Sequence, residues 1–122
     1  RIEETFFEEM KKSASRLRNK IIELKSKKLT VFGWGASHRT SALLSFSHLG
    51  KKHIECMLDN NPLLDKKYMY HFNIPIFLPT KKNIKNCDAI VIFAYPYEKE
   101  IRKQLLLGFN YKKKIISIKN LK

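Results

Sequence analysis

Cysteine is scarce in this chain: only Cys56 and Cys87 occur among 122 residues. They lie far apart, without C-x-x-C spacing and without a histidine cluster, which argues against a disulfide scaffold or a zinc site. Two such thiols read as reduced, buried residues of a cytoplasmic protein. No apolar run reaches the roughly 18–20 residues of a membrane span, and nothing at the N-terminus reads as a signal peptide. Repeats, linkers and low-complexity tracts are absent, so the length describes one domain. The first residue is Arg1 rather than Met, so a segment of a longer protein is expected. Acidic residues are few as well: 11 Asp and Glu against 25 Lys and Arg, a net charge of +14.

That charge would suit nucleic acid, an anionic membrane or a phosphorylated ligand. The excess is mostly lysine, however, in doublets and triplets at element ends (Lys27-Lys28, Lys51-Lys52, Lys66-Lys67, Lys81-Lys82, Lys112-Lys113-Lys114). A nucleic-acid face would place basic residues along one helix, interleaved with aromatics. The expectation is a solvated surface, a few of whose cations assist an anionic ligand. No nucleic-acid or membrane partner is expected.

Residues 2–26 carry a helical stripe of Phe7, Met10, Ala14, Leu17, Ile21 and Leu24, widened by Phe6 and Ile22. At 1.5 Å per residue such a helix spans about 35 Å, more than a small domain needs to cover its sheet. Part of the stripe is therefore expected to pack on something outside this chain; a coiled-coil seam is the alternative. From Leu29 the period becomes that of α/β architecture. Strands are expected at Leu29–Phe32, 53–58, Ile74–Phe77, Ala89–Ala94 and Lys114–Ile118. A helix over 37–49 is capped by Ser37 and ended by Gly50, and another opens at Pro96 and closes at Gly108. Residues 63–73 read as an irregular excursion, and Pro75 as an edge or strand end. This is an α/β, Rossmann-like three-layer domain with a mostly parallel sheet of four to five strands (28–122), preceded by a long amphipathic helix (1–27).

Ligands of open parallel sheets bind beyond the carboxyl ends of the strands, where the topology reverses. Three such ends carry polar or glycine residues: Gly33 to Arg39, Asp59-Asn60-Asn61, and Tyr95-Pro96-Tyr97. Gly33-Trp34-Gly35-Ala36 is a strand giving way to Gly-x-Gly and then a helix, a way to build a phosphate cradle. The third glycine of the dinucleotide fingerprint is replaced by His38, so a tight turn that only packs a helix remains the alternative. Ser37, His38 and Arg39 stand where a helix N-terminus meets an anion, with Arg39 the better candidate to neutralise a phosphate. Asp59 lies 24 residues past Gly35, where a ribose-binding acid is expected; it could equally cap the Asn-Asn-Pro turn. Tyr95 either stacks on a base or rims the sheet. His48, His53 and His71 read as structural. No G-x-S-x-G, H-E-x-x-H or P-loop lysine is present, which favours binding over chemistry.

Together these segments resemble the C-terminal domain of S-adenosylmethionine-dependent sugar C-methyltransferases across nearly the whole chain. The resemblance lies in an amphipathic helix leading to Gly33-Trp34-Gly35-Ala36, then Arg39 and Leu43-Leu44. It continues through Asp59-Asn60-Asn61-Pro62, Ile74-Pro75-Ile76, Tyr95-Pro96-Tyr97 and Glu100-Ile101. His38 and Thr40, and Ala94-Tyr95-Pro96 where the family has Pro-Trp-Asn, depart from the pattern. The resemblance implies a nucleotide-sugar-binding module with no catalytic residue of its own. Its substrate contacts would be Gly33, Gly35, Ala36, Ser37, His38, Arg39, Asp59, Asn61 and Tyr95. It also implies that S-adenosylmethionine is bound by a preceding methyltransferase domain packed on the leading helix. The N-terminal domains of sugar acyltransferases are a second resemblance, and an NAD- or CoA-binding regulatory Rossmann domain a third reading.

Overall fold

The computed structural model describes residues 2–121. A 25-residue helix, α1 (Ile2–Ser26), precedes β1 (Val31–Trp34), α2 (His38–Ser47), β2 (Cys56–Leu58), β3 (Tyr68–Met69) and β4 (Ile74–Phe77). Then come α3 (Lys81–Ile84), β5 (Ala89–Ile92), α4 (Glu98–Lys103) and β6 (Lys114–Ser117). The six strands form one sheet in the order β3-β4-β2-β1-β5-β6. Every pairing is parallel except β3 with β4. Among the described residues no helix is long and apolar enough to cross a membrane.

The sheet thus has six strands rather than four to five. The extra one, β3, lies inside the segment read as irregular. With two residues, one of them exposed, it is too short to show alternation. The turn joining it to β4 uses left-handed His71 and Asn73 instead of a glycine signal. Pro75 is consequently not on an edge strand, but it precedes the first β4 residue that pairs with β2, Ile76. Its missing N–H therefore falls outside that ladder. The one-turn helix α3, capped by the Thr80 side chain at Asn83 N–H, also had no periodicity to announce it.

Alternation along the strands builds two apolar layers. Val31, Met57, Ala89, Val91 and Phe93 face α1 and α2, meeting Ala14, Leu17, Ile21, Leu24, Leu43 and Leu44. Trp34, Cys56, Leu58, Ile90 and Ile92 face α3 and α4, meeting Ile84, Ile101 and Leu105. The α1 stripe from Ala14 to Leu24 is therefore buried on this chain's own sheet, while Phe6 and Phe7 are 59% and 52% exposed. Arg18 joins the two helices of the first layer, donating to the carbonyls of Ser47 (3.0 Å) and His48 (2.9 Å) at the α2 C-terminus. A cation there satisfies orphan carbonyls and complements the helix dipole. Both cysteines are free and buried, and desolvation pushes their thiols up, Cys56 to about 12 and Cys87 to about 11.

Strand β2 begins at Cys56 rather than His53 and β5 stops at Ile92 rather than Ala94, and two further boundaries moved for a physical reason. The helix α2 ends at His48, whose left-handed φ of 54° makes the cap, two residues before Gly50. Strand β1 runs to Trp34 instead of Phe32, because β2 and β5 pair with it on both sides up to that residue. Gly33 is therefore inside the strand, where a Cβ would lie 2.6 Å from Met57 Sδ and 2.8 Å from Phe93 Cε2. Gly35 has φ +116°, and a Cβ there would meet Ala94 Cβ at 2.8 Å and Ala94 N at 2.9 Å.

The two glycines should respond differently to alanine. At Gly33 the obstacle includes the flexible end of Met57, so Gly33→Ala should cost about 1 kcal/mol. At Gly35 both the dihedral and the opposing backbone resist, so Gly35→Ala should cost about 2–3 kcal/mol. Urea unfolding of the two variants measures both; equal losses would contradict this packing.

Candidate functional site

The chain moves outward from β1 through β2 to β4, then returns to the other side of β1 as β5. The direction of winding reverses between β1 and β5, and a ligand crevice is expected outside their carboxyl ends. The turns there remain bonded to the sheet. Gly35 N–H donates to Leu58 O (2.9 Å), while Phe93 and Ala94 N–H both donate to Trp34 O at 2.9 and 3.1 Å.

The turn after β1 is held by side chains that are themselves buried or paired. Thr40, 2% exposed, donates its hydroxyl to Gly35 O at 2.6 Å. Ser37 caps α2, its Oγ accepting from Thr40 N–H at 3.2 Å. Asp59 links two of the strand ends: Oδ2 accepts from Ala36 N–H and Oδ1 from Asn61 N–H, each at 2.9 Å. Asp59 therefore caps its own Asn-Asn-Pro turn and also fastens the Gly35-Ala36 turn. Each oxygen retains acceptor capacity. The N–H groups of Ser37, His38 and Arg39 have no acceptor among the described residues. They open the first turn of α2, where the dipole favours an anion.

Arg39 reaches across the reversal point. Its Nη1 donates to the Tyr95 hydroxyl at 2.6 Å, and its guanidinium carbon lies 5.1 Å from the Tyr95 ring centroid. Hydrogen bond and ring contact together hold the fork in place while leaving it exposed. A 320 Å³ hollow beside this pair is closed by Met10 and Ser13 of α1 and by Lys119 beyond β6. A second hollow, of about 410 Å³, lies between Trp34, Ala36, Asp59 and Glu100. It is also lined by Asn60 and Gln104, whose side-chain amides exchange two hydrogen bonds, Asn60 Nδ2 to Gln104 Oε1 at 3.1 Å and Gln104 Nε2 to Asn60 Oδ1 at 3.0 Å. A third, of about 610 Å³, runs from Ser37 and His38 along α2 to Tyr70 and His71. Ser37 to Arg39 stand where these three hollows meet.

Of the residues singled out from sequence, Ala36, Ser37, His38, Arg39, Asp59 and Tyr95 come together at this rim. Gly35 shapes it from beneath. Gly33 lies behind it in the strand, and Asn61 is engaged locally, accepting from Leu63 N–H at 3.0 Å. Thr40, Gln104, Ser13 and Lys119 were not legible. Gln104 pairs with a residue 44 positions away and begins a π-helical continuation of α4 over Gln104–Gly108; neither property leaves a local pattern. Among the described residues no group of three His, Cys, Asp or Glu is placed to hold a metal ion.

A family profile described as C-methyltransferase C-terminal domain matches residues 2–117. No curated protein matches the chain.

The Thr40 hydroxyl sets the turn that carries Ser37 to Arg39. Thr40→Val keeps the shape but leaves the buried Gly35 carbonyl without its donor, so it should cost about 1–2 kcal/mol, whereas Thr40→Ser should cost less. Chemical denaturation of both variants tests this; a neutral Thr40→Val would contradict the assigned role.

Proposed function

This chain belongs to the C-methyltransferase C-terminal domain family, and we propose that it serves such an enzyme by holding a nucleotide-sugar substrate, without chemistry of its own. The observation that carries this reading is the Arg39–Tyr95 clamp beside the three open N–H groups of the α2 first turn. A diphosphate meets both: a guanidinium fork that can bond two oxygens, and backbone donors at the positive end of a helix dipole. The dipole alone contributes only about 0.3–1 kcal/mol, so Arg39 supplies the larger share. Lys119 adds a second cation in the adjoining hollow. Hydroxyls of ribose or sugar find acceptors in Asp59 and Glu100 in the 410 Å³ hollow. Acids there and cations at Arg39 give the rim the polarity of a ligand with an anionic middle and neutral polyhydroxyl ends.

We assign no chemistry to this rim, whose side chains are engaged in holding the turn. The Ser37 hydroxyl lies 3.2 Å from the Thr40 hydroxyl and accepts from Thr40 N–H at 3.2 Å, and Asp59 is bonded to Ala36 and Asn61 N–H. S-adenosylmethionine supplies the methyl group in the reaction we assign to the whole enzyme, and the residues here do not fit it. The approach to the Gly35 turn is filled by Ala94, and the Ala36 N–H is taken by Asp59. We therefore assign the methyl donor to a preceding methyltransferase domain, seated on the exposed Phe6 and Phe7 face of α1.

Calorimetric titration tests the assignment. Thymidine or uridine diphosphate sugars should bind, and Arg39→Ala should weaken them at least about tenfold, which is 1.4 kcal/mol. Binding of NAD together with no binding of either sugar nucleotide would overturn the proposal.

A further inference from the structure

At the pole opposite that rim, the structure gathers lysines that are dispersed in sequence. Lys81, Lys82 and Lys85, on and just after α3, form one wall of a basin of about 620 Å³, and Lys112 and Lys113, ahead of β6, form the other. All five are exposed. The floor is apolar: Ile84 and Tyr111 are buried and Phe109 is half-buried. Both walls are fixed to the fold. Thr80 caps α3, and the left-handed Asn110 turns the chain so that Asn110 and Tyr111 N–H donate to Leu106 and Leu105 O at 3.1 and 2.8 Å.

Compensating charge is almost missing. Among the described residues the one carboxylate paired with this ring is Asp88, 3.8 Å from Lys113 Nζ, and its other oxygen accepts from Thr30 N–H at 2.8 Å. Lys81, Lys82, Lys85 and Lys112 have no acidic partner among the described residues. Held together without acids, ammonium groups repel one another, and a bound anion relieves that repulsion.

We propose that this basin docks an acidic segment of a protein partner, one that carries an aromatic or large aliphatic side chain between carboxylates. The two-sided ring decides the class. An apolar side chain fills the floor while carboxylates on either flank meet both lysine walls. A mononucleotide carries its charge at one end only. Extended nucleic acid needs a basic stripe with several stacking aromatics, whereas this basin is bounded and offers only Phe109. A membrane surface cannot reach apolar atoms that lie beneath a lysine rim. A second copy of the chain is disfavoured by its own net charge of +14. The proposal is independent of the nucleotide-sugar reading.

Binding of labelled polymers to the intact chain at about 50 mM salt tests it. A random glutamate–tyrosine copolymer should bind at least tenfold tighter than polyglutamate of equal charge. Joint reversal of Lys81→Glu, Lys85→Glu and Lys112→Glu should weaken the copolymer at least tenfold, while Lys51→Glu with Lys52→Glu should leave it within twofold. Phe109→Ala should erase the difference between the two polymers. Equal loss from both sets of reversals would reduce the basin to diffuse surface charge and overturn the proposal. So would a thymidine oligonucleotide or phosphatidylserine vesicles binding as tightly as the copolymer. Circular dichroism of the lysine variants, all altered at exposed positions, keeps the result separate from misfolding.

Discussion

Everything at the carboxyl edge depends on how closely the ends of β1 and β5 approach. At Gly35 the two backbones come so near that a single added carbon would lie 2.8 Å from Ala94 Cβ. The chain meets that constraint with a left-handed-side dihedral that only glycine adopts cheaply. From this approach the remaining geometry follows. Trp34 O collects the N–H groups of both Phe93 and Ala94, which carries Tyr95 to the rim. Thr40 bonds back to Gly35 O, which aims the first turn of α2 at the same place. Asp59 then ties the end of β2 to the turn after β1. Arg39 and Tyr95, 56 positions apart, meet because these backbone contacts bring their turns together.

The large elements were legible because they repeat. The α1 stripe, the continuous apolar run of β5 and the Ser37 cap each leave a pattern of several residues, and each stands where periodicity or capping chemistry placed it. Element ends were less legible, for a reason rooted in the scarcity of glycine. With only four glycines available, the chain uses Lys28, His48, Lys66, His71, Asn73 and Asn110 in left-handed turns. Such residues accept strain of about 1–2 kcal/mol when the surrounding fold determines the position. A lysine or histidine gives no warning of that conformation. Hence Gly50 looked like the end of α2 while His48 was, and the turn between β3 and β4 looked like irregular chain.

The Gly-x-Gly motif illustrates the other limit. Two glycines after a strand suggest a ligand approaching the backbone, yet here both have protein for neighbours. Gly33 admits Met57 and Phe93, and Gly35 admits Ala94. At each glycine the place a Cβ would take lies against the sheet's own atoms, and the N–H groups without an acceptor among the described residues come one step later, at Ser37, His38 and Arg39. Motif spacing reports where the backbone must be unencumbered; it does not report what stands there. The same separation applies to charge. The lysine doublets read as a solvated surface, and only the fold brings 81–85 and 112–113 to one basin while sending Arg39 and Lys119 to the opposite pole.

The proposed nucleotide-sugar site rests on the first turn of α2 as an anion seat facing Arg39. Backbone amide correlation spectra of the chain, recorded while thymidine or uridine diphosphate is added, test that directly. Shifts should concentrate at Ser37, His38 and Arg39 and extend to Tyr95 and Lys119. Undisturbed amides at these positions, with shifts gathering instead at Lys81–Lys85 and Lys112–Lys113, would contradict it.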